Sequence, residues 1–213
     1  RLAADADVVF VTSDALRQRM HPLNPPAVHY LPNVADYEHF SQARAAGPIP
    51  PDLAAIPQPR IGFVGALSSY KVDFEMIASV ARARPDWHWV LIGQLGEGQG
   101  GGGARLPRMS NVHLLGPRPY DQLPEYLRGF DVATIPCVTN RYTEAMFPMK
   151  FFEYLSAGLP VVAANAPALA PFEHVCDLVE TPAAFTATVA RVLEGGRADA
   201  DKCLRVAGRH TWR

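Results

Sequence analysis

Apolar residues along this chain fall into two rhythms that take turns. Short unbroken apolar runs recur: "DVVFVTS" (7–13), "VHYLP" (28–32), "RIGFVGAL" (60–67), "WHWVLIG" (87–93), "NVHLLG" (111–116), "DVATIPC" (131–137), "LPVVAAN" (159–165) and the shorter "DLVET" (177–181). Rich in β-branched residues and bounded by Gly, Pro and Asn, each predicts a strand. Between them apolar positions recur at helical spacing. "DFEMIASVARARP" puts Phe74, Ile77, Ala78 and Ala81 on one face. "YDQLPEYLRGF" does the same with Leu123, Tyr126 and Leu127, with Asp121 placed to cap it. "DALRQRM" follows Ser13, an N-cap residue type, and "PMKFFEYLSAG" has Pro148 for its first turn and Gly158 for its end. "PAAFTATVARVLEGG" and "ADKCLRVAGRH" predict two terminal helices. The stretch after "VHYLP", up to residue 59, is rich in Pro and Ala without a sustained period and reads as a linker with one helical turn. Strands that are apolar throughout are covered on both faces. Their alternation with helices predicts an α/β, doubly wound parallel sheet, Rossmann-like, whose ligands lie beyond the carboxyl ends of the strands.

Composition adds limits. A chain of 213 residues with 48% hydrophobic and 19% charged residues is ordinary for a soluble globular protein. A net charge of -1 gives no basic excess for nucleic acid or an anionic membrane surface. Cys137, Cys176 and Cys203 are far apart and have no metal-ligand spacing, which fits a reduced, cytoplasmic setting and no metal site. No apolar run approaches the ~20 residues that span a bilayer, and no signal peptide is present. The chain opens on "RLAADADVVFVTS" without Met and stops at "HTWR", which predicts a piece of a longer enzyme.

After "WHWVLIG", Gly96, Gly98 and Gly101 spell G-x-G-x-x-G, the dinucleotide-binding pattern. That pattern needs a helix whose N-terminus faces a pyrophosphate. Here "GGARLPRMSNV" follows, with Pro107 and no helical period, and leads straight into the next strand. The default is a surface loop. An NAD-type oxidoreductase would also need an acidic residue at the end of the next strand, and "NVHLLGPRPY" has none.

Two other strand ends carry better chemistry. In "FVGALSSYK", Gly62 and Gly65 would let backbone approach a ligand, Ser68 and Ser69 offer donors, and Lys71 a charge. In "NRYTEAMFPMKFFEYLSAGLPVV", Lys150 falls in the first turn of a helix, where the macrodipole disfavours a cation. An anionic ligand would account for it. Glu153, one turn later, could accept hydrogen bonds from a ribose diol. The plainer alternative is a solvated Lys and Glu on an amphipathic helix.

The second stretch resembles the signature P-x-K-x-x-E-Y-x-x-x-G-x-P-V-V of the retaining GT-B glycosyltransferases, the glycosyl transferases group 1. Pro148, Lys150, Glu153, Tyr154, Gly158, Pro160, Val161 and Val162 fit it. "ADVVFVTSDAL", "VHYLPNVADYEHF", "RIGFVGALSSYK" and "NVHLLGPRPYDQLPEYLRGFDVATIP" resemble, in order, further segments of that family, so the resemblance covers almost the whole chain. It implies the C-terminal half of a GT-B fold: residues 1–35 end an N-terminal acceptor domain, 36–59 cross between domains, and 60–213 form the nucleotide-sugar-binding domain. It implies transfer, with retention, from a UDP- or GDP-sugar to a glycan or lipid-linked acceptor, with no metal and no other cofactor. Lys71 and Lys150 would sit at the diphosphate, Glu153 at the ribose, and Gly65, Ser68, Ser69, Leu114, Leu115, Arg141 and Met149 along the substrate. Glu144 would be the sugar-contacting acid, but it falls one residue before the family's spacing, which lands on Ala145. "GAL" stands where the family has "GR", so Lys71 or Arg141 would take over that Arg's role. The resemblance further implies a bacterial polysaccharide enzyme, cytoplasmic or peripheral at the inner face of the plasma membrane when complete, whose donor-binding part alone is inactive. The rivals are a non-catalytic nucleotide-binding or scaffold module and a sugar-nucleotide epimerase of the same fold.

Overall fold

The computed structural model describes residues 3–23, 25–96, 109–196 and 198–212. Two parallel sheets are present among them. The small one pairs β1 (Val9–Val11) with β2 (Val28–Tyr30), joined by helix α1 (Asp14–Met20). Ser13 caps α1, accepting from the Leu16 amide at 3.2 Å.

The large sheet contains β3 (Arg60–Val64), β4 (His88–Ile92), β5 (Val112–Gly116), β6 (Val132–Pro136), β7 (Val161–Ala164) and β8 (Asp177–Val179). All its pairs are parallel, in the order β5-β4-β3-β6-β7-β8. This is the doubly wound Rossmann order, with its switch point between β3 and β6.

Alternate residues of the strands feed two cores, as a period of two requires. Val90, Ile92, Ala133, Ile135, Val161 and Ala163 face one core. It is covered by α2 (Tyr37–Ser41), α3 (Pro51–Ala54), α5 (Leu123–Arg128), α6 (Lys150–Ser156) and α8 (Ala200–Arg209). Trp89, Leu91, Val132, Val162 and Ala164 face the other, under α4 (Phe74–Ala83) and α7 (Pro182–Leu193). Phe74, Ile77, Ala78 and Ala81 are all buried, as their spacing predicts. So are Leu123, Tyr126 and Leu127. No helix among the described residues is long and apolar enough to cross a membrane.

Some local expectations give way. The stretch 36–59 is not a free span. Phe40 on α2 and Leu53 on α3 are fully buried in the first core. Asp121 does not cap α5: a 3-10 turn over Tyr120–Gln122 precedes that helix, and Gln122, its N-cap residue, makes no side-chain capping bond. Pro148 lies before α6 rather than in it, with Met149 as the N-cap residue. Gly158 does end α6, at φ +75°, a conformation that suits a residue without Cβ. Of the glycine pattern after β4, Gly96 is in the described chain at φ +78°, while Gly98, Gly101 and Pro107 lie outside the described residues.

The switch point opens because β3 leaves β6 early. β3 pairs with β4 along its whole length but with β6 only at Ile61 and Gly62. The Val64 amide, past the split, has no strand partner on that side. Tyr154 of α6 replaces it, with the Val64 amide donating to its buried hydroxyl at 2.9 Å. Tyr154→Phe should leave that buried N–H unpaired and destabilise the chain by about 1.5 kcal/mol, read as a lower urea midpoint. An unchanged midpoint would mean that another acceptor reaches the amide.

A cationic cavity at the switch point

The split between β3 and β6 opens into a cavity of about 520 Å³. Phe63, Val64, Gly65 and Ala66 line it beyond β3, and Ile135, Pro136 and Cys137 beyond β6. Its rim comes from Lys71, from the segment Arg141–Lys150 that enters α6, and from the small unit through Thr12, Leu16, Arg19 and Asn33. Arg19, Lys71, Arg141 and Lys150 contribute four positive charges, and no carboxylate is among the described lining residues. Such a field concentrates anions.

The wall is fixed from both sides. Ser13 Oγ donates to the Ala145 carbonyl at 2.6 Å, and Asn33 Nδ2 donates to the Phe147 carbonyl at 3.2 Å. These bonds hold the small unit against the loop before α6. Asn140 shapes the start of that loop: its Oδ1 accepts from the amides of Tyr142 and Thr143, and its Nδ2 donates to the Tyr70 carbonyl. Tyr70 and Tyr142 meet edge to face at 5.4 Å, and Lys71 Nζ lies 5.2 and 5.7 Å from their ring centroids. Both rings lie close enough to attract its charge.

Of the two glycines that the sequence offers as ligand approaches, one lines the cavity. Gly62 does not face a ligand: a Cβ there would lie 2.0 Å from Phe130 Cδ2, so its missing side chain makes room for a core ring. Gly65 does line the cavity. Its carbonyl lies against Gly93, where a Cβ would come within 1.8 Å of it, and the Gly65 amide donates to the Ile92 carbonyl at 2.9 Å.

Of the residues singled out from sequence, Gly65, Lys71, Arg141, Met149 and Lys150 come together on the cavity. The others do not line it. Ser68 is buried under the loop after β3, where its carbonyl accepts from the amides of Lys71 and Val72, and Ser69 is exposed. Glu144 is exposed on a 3-10 turn, while its neighbour Ala145 faces the cavity. Leu114 is exposed on β5, the edge strand, and Leu115 packs on the first core.

Glu153 sits behind Lys150, buried, with Oε2 2.8 Å from Lys150 Nζ. Neither is the solvated surface charge of the plainer reading. Burial raises the Glu153 pKa, opposed by Lys150 and more weakly by the nearby His39. His39 stacks on Tyr120 at 4.5 Å, and the Tyr120 hydroxyl is pushed up by burial and then by Glu153. Glu153, His39 and Tyr120 therefore form one polar cluster beside the cavity, with Lys150 between the two. Cys137, on the cavity floor, is a buried thiol pushed up to about 12 by desolvation, so it is an inert wall rather than a nucleophile.

Sequence reasoning missed Arg19, Thr12 and Asn33. Arg19 stands in the last turn of a short helix where a cation suits the macrodipole, and nothing local marks it as different from Arg17.

The profile of the glycosyl transferases group 1 matches residues 58–195. The Bacillus subtilis protein named teichuronic acid biosynthesis glycosyltransferase TuaH is 32% identical over 204 residues, which is 91% of this chain and 50% of that protein. Two solved structures share the fold: Anabaena Alr3699/HepE in complex with UDP and glucose, and sucrose-phosphate synthase from Thermosynechococcus elongatus. The first has a TM-score of 0.73 at 17% identity and covers 99% of this chain and 60% of that one. The second has a TM-score of 0.75 at 20% identity and covers 99% and 56%. The chain thus spans about half the length of the curated relative it matches. With its doubly wound sheet, its P-x-K-x-x-E-Y stretch at the switch point and a profile match over most of its length, this chain belongs to the glycosyl transferases group 1 family.

Proposed function

We propose that the cavity binds the diphosphate of a nucleotide sugar, and that this chain supplies the donor-binding part of a glycosyl transfer. One observation carries the reading. Lys71, Arg141 and Lys150 gather at a cavity at the switch point of a Rossmann-like sheet, with no carboxylate among its described lining residues, the place where such sheets take nucleotides. UDP is the first nucleotide to test, because the HepE structure holds UDP and glucose; GDP is the second.

In the proposed complex Lys71, Arg141 and Lys150 face the diphosphate. Lys150 turns from Glu153 towards a phosphate, and Glu153 accepts from the two ribose hydroxyls in its place, exchanging one charged donor for two neutral ones. The bond between the anomeric carbon and the diphosphate oxygen breaks and its electron pair leaves with the diphosphate, while an acceptor hydroxyl oxygen bonds the anomeric carbon with retention and its proton passes to the departing diphosphate. The cations stabilise the departing charge without a metal. Residues 1–35 are the end of an acceptor domain, 36–59 the crossing, and 60–213 the donor domain. The exposed apolar residues Val8, Phe10, Leu23 and Leu31 of the small unit suit contact with further chain. The name of TuaH suggests a polysaccharide of the teichuronic acid kind as product, made at the cytoplasmic face of the membrane.

Calorimetric titration of UDP, GDP and NAD, with EDTA present, tests this. One of the two nucleoside diphosphates should bind, and Lys71→Ala should weaken it about tenfold, or about 1.4 kcal/mol. NAD binding indifferent to Lys71 would overturn the reading, and a requirement for a divalent cation would overturn its metal-free part. Sugar transfer by this chain alone would show that it is more than the donor part.

A further inference from the structure

The cavity holds more positive charge than a diphosphate needs. A nucleotide sugar brings one negative charge on each phosphate, and Lys71, Arg141 and Lys150 already stand on the side of the large sheet. Arg19 reaches the cavity from α1 of the small unit. Among the described residues it has no ion pair, whereas its neighbour Arg17 pairs with Asp14 at 2.8 Å and lies 5.7 Å from the Tyr30 ring centroid. Residues two apart on a helix point to different sides. One arginine therefore serves the small unit and the other serves the cavity.

The position of α1, which carries Arg19, is set. The bond from Ser13 at the start of α1 to Ala145, and that from Asn33 after β2 to Phe147, hold the small unit to the loop that also carries Arg141. Thr12 and Asn33 of the small unit also line the cavity, adding a hydroxyl and an amide that keeps one N–H beyond its bond to Phe147. A guanidinium flanked by neutral donors suits a carboxylate or phosphate, which it can bind in bidentate fashion.

We propose that Arg19, with Thr12 and Asn33, forms a second anion subsite in this cavity, and that it holds an acidic group of the sugar acceptor while the donor diphosphate occupies the wall built by the large sheet. The acceptor is then an anionic glycan, bearing either a uronic-acid carboxylate or a phosphate. This rests on the nucleotide-sugar reading above.

The test is a titration of glucuronate, inorganic phosphate and uncharged glucose into the chain saturated with its nucleoside diphosphate, using wild type, Arg19→Ala and Arg19→Lys. Arg19 is exposed and outside both cores, so the variants should fold; thermal melts check it. The expected result is that one of the two anions binds and glucose does not. Arg19→Ala should weaken that anion at least fivefold and Arg19→Lys less, while nucleotide affinity stays within twofold. Preference for glucuronate identifies a carboxylate on the acceptor, and preference for phosphate a phosphorylated one. Nucleotide affinity falling as far as that of the anion would place Arg19 in the diphosphate site and overturn the proposal alone. Anion binding that is absent, or that ignores Arg19, in a chain that still binds nucleotide would also overturn it alone. Absence of any nucleotide binding would bring down the functional reading and this proposal together.

Discussion

Lys150→Met is expected to lower stability by about 2 kcal/mol at neutral pH and to weaken nucleotide binding at the same time. The side chain of Glu153 is 9% exposed and that of Lys150 25%, so the pair is mostly out of water. Removing one member of such a pair strands the other, at a cost greater than the pair itself contributes. The remaining carboxylate must either stay ionised without its cation or take up a proton. Burial already holds the Glu153 pKa above its ordinary 4.5, and Lys150 is the strongest influence opposing it. Without Lys150 it rises further. The sign follows from linkage: the folded chain then binds a proton that the unfolded chain has released, so stability is greatest below the unfolded value and falls as pH rises through the folded one. The variant should therefore lose stability more steeply than wild type above about pH 4.5. Lys150→Met combined with Glu153→Gln removes the stranded charge and should recover most of the loss, without recovering nucleotide affinity. Melting curves from pH 5 to 8 give the answer. For a chain of this size the single variant should melt about 4–8 °C lower at pH 7. A flat profile matching wild type would mean that Glu153 reaches water on its own.

Gly93→Ala should be more damaging still. Gly93 follows β4 at φ +150°, which L side chains rarely adopt. Its Cβ would also meet the Gly65 carbonyl oxygen at 1.8 Å. No flexible side chain can yield, because the obstacle is backbone of the loop that lines the cavity. Backbone strain and overpacking together place the expected loss at about 4 kcal/mol, or a melting point about 8–16 °C lower. Nucleotide binding should also fall in whatever fraction folds, because relief of the clash moves Gly65. Gly96→Ala is the contrast: its φ of +78° is also unusual for an L residue, but a Cβ there meets nothing within 4 Å. It should cost about 1 kcal/mol and leave binding intact. Equal losses in the two variants would show that strain alone, and not the approach of Gly65, governs the position.

These expectations separate what a chain announces from what it conceals. The eight strands and the long helices were legible because each is a local statement. An apolar run such as "WHWVLIG" or the spacing of Phe74, Ile77, Ala78 and Ala81 refers only to neighbours in sequence, and burial follows from it. The family motif was legible for the same reason, since Lys150, Glu153 and Tyr154 lie within five residues. Its internal chemistry was not. Sequence placed Lys150 towards an anion and Glu153 towards a ribose, whereas the folded chain sets the two against each other at 2.8 Å. A glycine gives no sign of what fills the space it leaves. By sequence Gly62 reads as an approach for ligand, and the structure fills that space with Phe130.

The sequence by itself determined the alternation of strands and helices, the doubly wound class and the family. Each rests on short-range periodicity or on a contiguous motif. Only the tertiary structure decided that α1 delivers Arg19 to the same cavity as Lys150, that Tyr154 closes the gap where β3 leaves β6, and that Gly93 exists to admit Gly65. Those facts join residues between 28 and 131 positions apart. Such contacts are fixed by how whole faces pack, and a local pattern carries no information about which distant group will arrive opposite it.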